Sequence, residues 1–171
     1  RLGGAGIGTE AGDHRALLAL KAFSYRVRKY IGAYVAAMGG LDVVIFTGGI
    51  GQGSAEVRTL ALQGLSCMGI VLDEARNRDA CRKPEICRIS ADESKIVVLV
   101  VPTDVTAPAS VHALFAKTRE VFGRLDLLFN NAGIGAPAVP LEELSFEQWN
   151  SVVQVNLTGA FLCTQEAFKI M

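Results

Sequence analysis

The chain has 171 residues, half of them hydrophobic, with 18 glycines, 5 prolines and few aromatics. That length gives room for one ordinary domain with a real core, and that composition excludes a disordered chain and fits an α/β protein with glycine turns between its elements. Lys plus Arg balances Asp plus Glu at 17 each, so no long-range field favours nucleic acid or an anionic membrane surface, and any polyanion must be bound locally.

Cys67, Cys81, Cys87 and Cys163 make no Cys-x-x-Cys pair and lie far in sequence from the only histidines, His14 and His112. This pattern argues against a zinc site and for reduced thiols in the cytosol. The start, RLGGAGIGTEAGDHR, lacks the apolar centre of a signal peptide. No apolar run approaches the roughly 18 residues that suggest a membrane span. The expectation is a cytoplasmic protein with no membrane partner.

In chain order, Leu17, Leu20, Phe23, Val27, Tyr30, Ile31, Tyr34 and Val35 repeat at spacings of three and four, which predicts an amphipathic helix ended by Gly39-Gly40. Leu41 to Phe46 is a continuous apolar run and predicts a strand buried on both faces. The loop TGGIGQG follows, and Ser54 can cap a helix over SAEVRTLALQGLSCMG with Glu56 in its first turn. IVLD reads as a short strand or turn, and the polar stretch from Glu74 to Lys95, with Pro84, reads as loop with a short helical start. KIVVLVVPTD is the strongest strand of the sequence. Pro108 opens a helix, LDLLF predicts a strand, NNAGIGAPAVP a loop, and a last amphipathic helix starts near Ser145 and runs to Met171.

Two segments echo each other: LDVVIFTGGIG at 41–51 and LDLLFNNAGIG at 125–135. Their flanks do not correspond, because the first is followed at once by a capped helix and the second by a proline-rich loop. A duplication would align over whole units, so the echo reads as convergence. Its physical cause is that ligands of open α/β sheets sit beyond the carboxyl ends of strands, where glycine lets the backbone approach a phosphate or sugar. Plain turn chemistry gives the same pattern, and neither segment contains a P-loop or a G-x-G-x-x-G after a strand.

The run YRVRKYIGAYVAAMGGLDVVIFTGGIGQGSAEVR resembles the carboxy-terminal domain of the acetate and propionate kinases, a likeness that extends over about residues 1–104. It implies a partial actin-like ATPase (ribonuclease H-like) lobe over residues 1–103, ATP with Mg²⁺ as cofactors, and phosphoryl transfer to a small carboxylate. It also implies nucleotide contact at Thr47, Gly48, Gly49, Ile50 and Gly51. The family continues with Glu-Asn where this chain has Gln52-Gly53, and its Pro-Thr-Asn-Glu-Glu stands here as Pro102-Thr103-Asp104-Val105-Thr106. Both glutamates are replaced, so no residue is assigned to a metal. The family's catalytic Arg, Asp and His residues belong to parts upstream of the matching segment.

From Asp104 to Met171 the sequence is similar to the middle of a short-chain dehydrogenase/reductase, which implies a partial Rossmann-like lobe over 104–171 and NAD or NADP as cofactor. Asp104 and Val105 correspond to the pair beside the adenine. Asn130, Ala132 and Gly133, in Asn-Asn-Ala-Gly, correspond to the turn along the dinucleotide that supports the central sheet. Asn156, in Val-Asn-Leu-Thr-Gly, corresponds to the catalytic tetrad asparagine, the one catalytic residue the likeness assigns. Read without those flanks, Asn130 and Asn131 simply tolerate an αL turn and Asn156 is a helix-surface amide. The family's pyrophosphate loop would precede Asp104, and its Ser and Tyr-x-x-x-Lys would follow Met171. Tyr25 and Lys29 have the latter spacing on one helix face, but Tyr25 also fits the packed stripe of its helix.

The string VVLVVPTD suits both families, as a last kinase strand or as a third dehydrogenase strand. A junction inside a shared string is what a crossover at similar DNA, or a faulty joining of reads, would produce. Three functions are therefore expected in competition: an acetate kinase type of phosphotransferase, an NAD(P)-dependent oxidoreductase, and a non-catalytic chimeric or truncated product. The last would bind nucleotide at most and self-associate through apolar faces left open.

Overall fold

The computed structural model describes residues 14–171; the glycine-rich start, over which the leader reading and the first part of the kinase likeness run, lies outside the described residues. The chain divides into two compact units, Arg1–Pro102 and Thr103–Met171.

In the first unit, α1 (His14–Met38) leads to β1 (Val43–Phe46), α2 (Gly48–Gly53) and α3 (Ala55–Leu62). A 3₁₀ turn over Leu65–Met68 comes next, then α4 (Glu74–Ala80), β2 (Cys87–Arg88) and β3 (Val97–Val100). β3 is the central strand, parallel to β1 with Val43 opposite Val97, and antiparallel to β2 with Cys87 opposite Val100. The core gathers Leu62, Leu65, Ile70, Ala80, Ile89, Ile96, Val98 and Val100. α1 ends as its glycines require, with Gly39 at φ 73°. It packs on α3, and Arg28 Nη2 of α1 bonds the Leu60 carbonyl and Gln63 Oε1.

Five expectations for this unit change. β1 is half-buried at all four residues instead of fully buried, because it is an edge strand of a three-stranded sheet. The glycine stretch after it is a helix, not a loop. The helix from Ala55 stops at Leu62, where Gly64 takes the left-handed conformation at φ 80° and a 3₁₀ turn replaces the rest. The polar stretch after α4 holds β2, whose pairing with β3 outweighs its polar composition. Tyr25 is 56% exposed with Lys29 Nζ 5.8 Å from its ring centre, so it is a surface pair and not part of the packed stripe.

In the second unit, α5 (Pro108–Phe122) has Pro at its start and Gly123, at φ 75°, past its end. A 3₁₀ turn (Leu141–Glu143) precedes α6 (Phe146–Val153), a π-helical turn (Gln154–Gly159) and α7 (Ala160–Phe168). Val105, Val111, Phe115, Cys163 and Ala167 form its core. Residues 125–129 form no strand. All strands among the described residues belong to the first unit, so LDLLF has no ladder partner within its own unit and its backbone stays irregular. The helix read as reaching Met171 ends at Phe168 and is broken midway by the π turn.

Candidate functional site

β1 delivers the chain into an extended Thr47, and Gly48 then turns at φ 71°, a conformation that glycine adopts without a Cβ penalty. The next residues wind into α2. A Cβ on Gly51 would meet Phe46 at 3.5 Å, so the turn folds back over the end of β1, whereas a Cβ on Gly49 or Gly53 would meet nothing within 4 Å. The Thr47 hydroxyl does not cap α2; its Oγ1 is buried without a hydrogen-bond partner. At the other end the Ser54 amide donates to the Ile50 carbonyl at 3.1 Å, and Ser54 Oγ accepts from the Val57 amide at 3.2 Å, so one residue ends α2 and starts α3.

Beneath α2 lies Arg58, with no exposed surface. Its Nη1 donates to the Gly51 and Gln52 carbonyls, both at 2.6 Å. Its Nε donates to Asn77 Oδ1 at 2.7 Å, and its Nη2 to the Asn77 carbonyl at 2.7 Å and Cys81 Sγ at 3.2 Å. These five acceptors match the five N–H groups of a guanidinium, and none of them is a carboxylate. Asn77 is itself buried and donates to the Ala55 carbonyl and Thr59 Oγ1, both at 3.0 Å.

In the second unit, Asp104 Oδ1 accepts from the Thr106 hydroxyl at 2.7 Å and the Thr106 amide at 2.9 Å, and these bonds hold its carboxyl below the usual range. Val105 is a core residue packed against Gly159. Asn130 Nδ2 donates to Thr164 Oγ1 at 3.0 Å. Asn156 sits on the π turn and clasps one residue's backbone: its Oδ1 accepts from the Ile134 amide and its Nδ2 donates to the Ile134 carbonyl, both at 2.9 Å. Gly133 is drawn in beside it, with Asn156 Oδ1 3.6 Å from where a Cβ would stand, and Ala132 is exposed in the same loop. An open cleft of about 430 Å³ lies alongside, lined by Thr106, Ile134, Asn150, Ser151, Gln154 and Val155. Thus Asn156 and Gly133 come together, Asp104 and Asn130 are each engaged locally, and the loop that was to brace a sheet meets a helix instead.

Residues 7–107 match the Acetokinase family. The chain belongs to the acetokinase family. It is 47% identical over 94 residues to the acetate kinase of Phocaeicola vulgatus, which covers 55% of this chain and 23% of that protein. The crystal structure of an acetate kinase from Entamoeba histolytica superposes with a TM-score of 0.50 at 27% identity over 63% of this chain and 26% of that one. A short-chain dehydrogenase/reductase from Burkholderia phymatum, solved with NAD, superposes with a TM-score of 0.53 at 34% identity, covering 77% of this chain and 44% of that one. The chain therefore spans about a quarter of the length of its acetokinase relatives.

Within the acetokinase segment, sequence reasoning singled out the glycine turn and missed what lies under it. The signal was there: Arg58 falls on the buried face of α3 with Val57, Ala61 and Leu62, so its charge had to meet partners inside. In the second unit the capping box of Ser145 and Gln148 was legible as Ser-x-x-Gln before an apolar helix. Among the described residues no three His, Cys, Asp or Glu cluster closely enough to hold a metal ion, and no helix is long and apolar enough to cross a membrane.

Proposed function

We propose that residues 7–107 are the nucleotide-facing part of an ATP-dependent phosphotransferase of the acetate and propionate kinase type, with a small carboxylate as acceptor. In this reading the segment is a partial actin-like lobe, and ATP contacts the turn Thr47–Gly51. The observation that carries it is the family match across the whole turn and its flanking elements. The turn fits a polar ligand: a buried Thr47 hydroxyl lacks a partner, and Gly49 leaves open space beside the backbone. A protein-held Mg²⁺ is not fitted by the described residues, so no step is routed through one.

Phosphoryl transfer runs on positioning and charge stabilisation, with cations on the moving group. Arg58, the cation nearest the turn in sequence, directs every donor into the protein interior. The 171 residues accordingly bind nucleotide without transferring its phosphoryl group. Incubating the chain with ATP, Mg²⁺ and acetate, and trapping acetyl phosphate with hydroxylamine, should yield none. Formation at a rate comparable to a full-length acetate kinase would refute this.

A second reading is favoured by the likeness to the NAD-bound dehydrogenase: residues 104–171 are a partial Rossmann-like lobe joined to the kinase segment within 97–106. Asn156 then belongs to a dehydrogenase site whose NAD or NADP would lie along Asp104, Val105, Asn130, Ala132 and Gly133. Such a joined product also leaves Leu141, Phe146, Leu157, Phe161 and Phe168 more than half exposed, a surface suited to self-association. A sequencing read or intact mass spanning residues 97–106 tests the junction.

A further inference from the structure

The glycine turn has a support that its own sequence does not supply. Four of the six residues of α2 are glycine, so this helix loses more backbone entropy on ordering than an average one and is weakly biased toward any single conformation. A helix this short leaves most of its carbonyls without an intrahelical partner. The Ile50 carbonyl is taken by Ser54, and the next two, from Gly51 and Gln52, converge on one nitrogen of Arg58. The cation lies at the carboxyl end of α2, where the peptide dipoles favour positive charge. The other edge of the same planar group is fastened to α4 through Asn77 and to Cys81 just past its end.

Burying a guanidinium with no counter-ion is costly unless each N–H is satisfied. Here each one is, and three of the five bonds go to main-chain carbonyls. The group therefore holds backbone shape and does not neutralise charge. We propose that Arg58 is a positioning residue: its buried guanidinium latches α2 to α4 and keeps the turn at Thr47–Gly53 in the one conformation that receives a nucleotide. This rests on the reading that the turn binds ATP. Lysine would preserve the charge, but its compact head with three donors cannot span five acceptors arranged in a fork. Fork geometry, and not charge, is what the latch requires.

The test uses the full 171-residue chain, its Arg58→Lys variant and its Asn77→Ala variant. MgATP affinity is measured by calorimetry, and amide hydrogen exchange is followed at residues 47–54 and 97–100. Both are run at a temperature where denaturant titration shows each protein fully folded. Arg58→Lys should weaken MgATP binding by tenfold or more and speed exchange at 47–54 while leaving the central strand at 97–100 unchanged. Asn77→Ala, which removes the partner of Nε, should fall between it and the wild type. A residue with only a structural role would lower the denaturation midpoint without changing the affinity of the folded chain. Wild-type affinity together with wild-type exchange at 47–54 in folded Arg58→Lys would overturn the proposal. If that variant does not fold, the Asn77→Ala comparison decides in the same terms. If the wild-type chain binds no MgATP, the nucleotide reading fails, and the exchange comparison alone establishes or removes the latch.

Discussion

Gly159 and Val105 approach so closely that a Cβ on the glycine would stand 2.9 Å from Val105 Cγ2 and 3.2 Å from the Val105 carbonyl oxygen. The contact seats the π turn against the core of the second unit, and it explains a glycine inside an otherwise helical stretch. Two effects oppose each other in Gly159→Ala. Helix propensity favours alanine by about 1 kcal/mol, whereas overpacking a well-filled site costs about 1–3 kcal/mol. The second should win, because one of the crowded atoms is main chain and cannot rotate away. Gly159→Ala is expected to lower the denaturation midpoint of the second unit, and Val105→Ala combined with it should cost less than the sum of the two single changes. Additive losses would show that the two residues are not coupled.

The start of α6 depends on Ser145. Its hydroxyl accepts from the Gln148 amide at 3.2 Å, and Gln148 Oε1 accepts in return from the Ser145 amide at 2.9 Å. Glu147 in the same turn is held below the usual carboxyl range by its own backbone amide and then by Ser145. Ser145→Ala should destabilise the second unit by about 1 kcal/mol, and Gln148→Ala by less, as read from urea unfolding. An unchanged midpoint in Ser145→Ala would mean that α6 is fixed by its packing alone.

Much of this fold is legible in the residues themselves. The spacing of apolar residues marks α1 and Gly39-Gly40 marks its end, Ser54 marks the start of α3 and Pro108 that of α5, and the run at Val97–Val100 stands out as a strand, whereas the end of α3 at Leu62 was not foreseen. Elements that depend on distant partners are not legible. LDLLF has the composition of a strand, but a strand exists only with a neighbour to bond, and its unit provides none. Cys87–Arg88 has little strand character and is recruited by β3. For the candidate site, a strand followed by glycine marks a turn because backbone geometry is written locally, but that this turn contacts a nucleotide is what the resemblance to the kinases implies. The place of Arg58 beside Val57, Ala61 and Leu62 signals that it is buried, but its five bonds join three separate stretches, Gly51-Gln52, Arg58 and Asn77–Cys81, and no local pattern names those partners. Asn156 lies in a recognisable string, but its clasp on Ile134 follows from how helix and loop meet.

The low pH behaviour of Asp104 follows from its two bonds to Thr106. The folded carboxyl titrates below its ordinary value because the Thr106 hydroxyl, and then its amide, favour the ionised form. The sign is that of a depressed carboxylate: its contribution to stability is present above the unfolded value of about 3.9 and is lost as the pH falls through the folded value. Thr106→Val keeps the shape and the amide but removes the hydroxyl. Carboxyl NMR titration should show the Asp104 pKa rising toward the ordinary value in that variant, with a flatter dependence of stability on pH below about 4. An unmoved titration would assign the shift to another group.

The proposed nucleotide site is the turn after β1. The most direct measurement is a titration of the isotopically labelled 171-residue chain with MgATP, following backbone amide shifts residue by residue. Saturable shifts are expected at Thr47, Gly48, Gly49, Ile50 and Gly51, with smaller ones reaching Arg58. Saturable shifts confined to residues outside 47–58, or no shifts at millimolar MgATP, would contradict it.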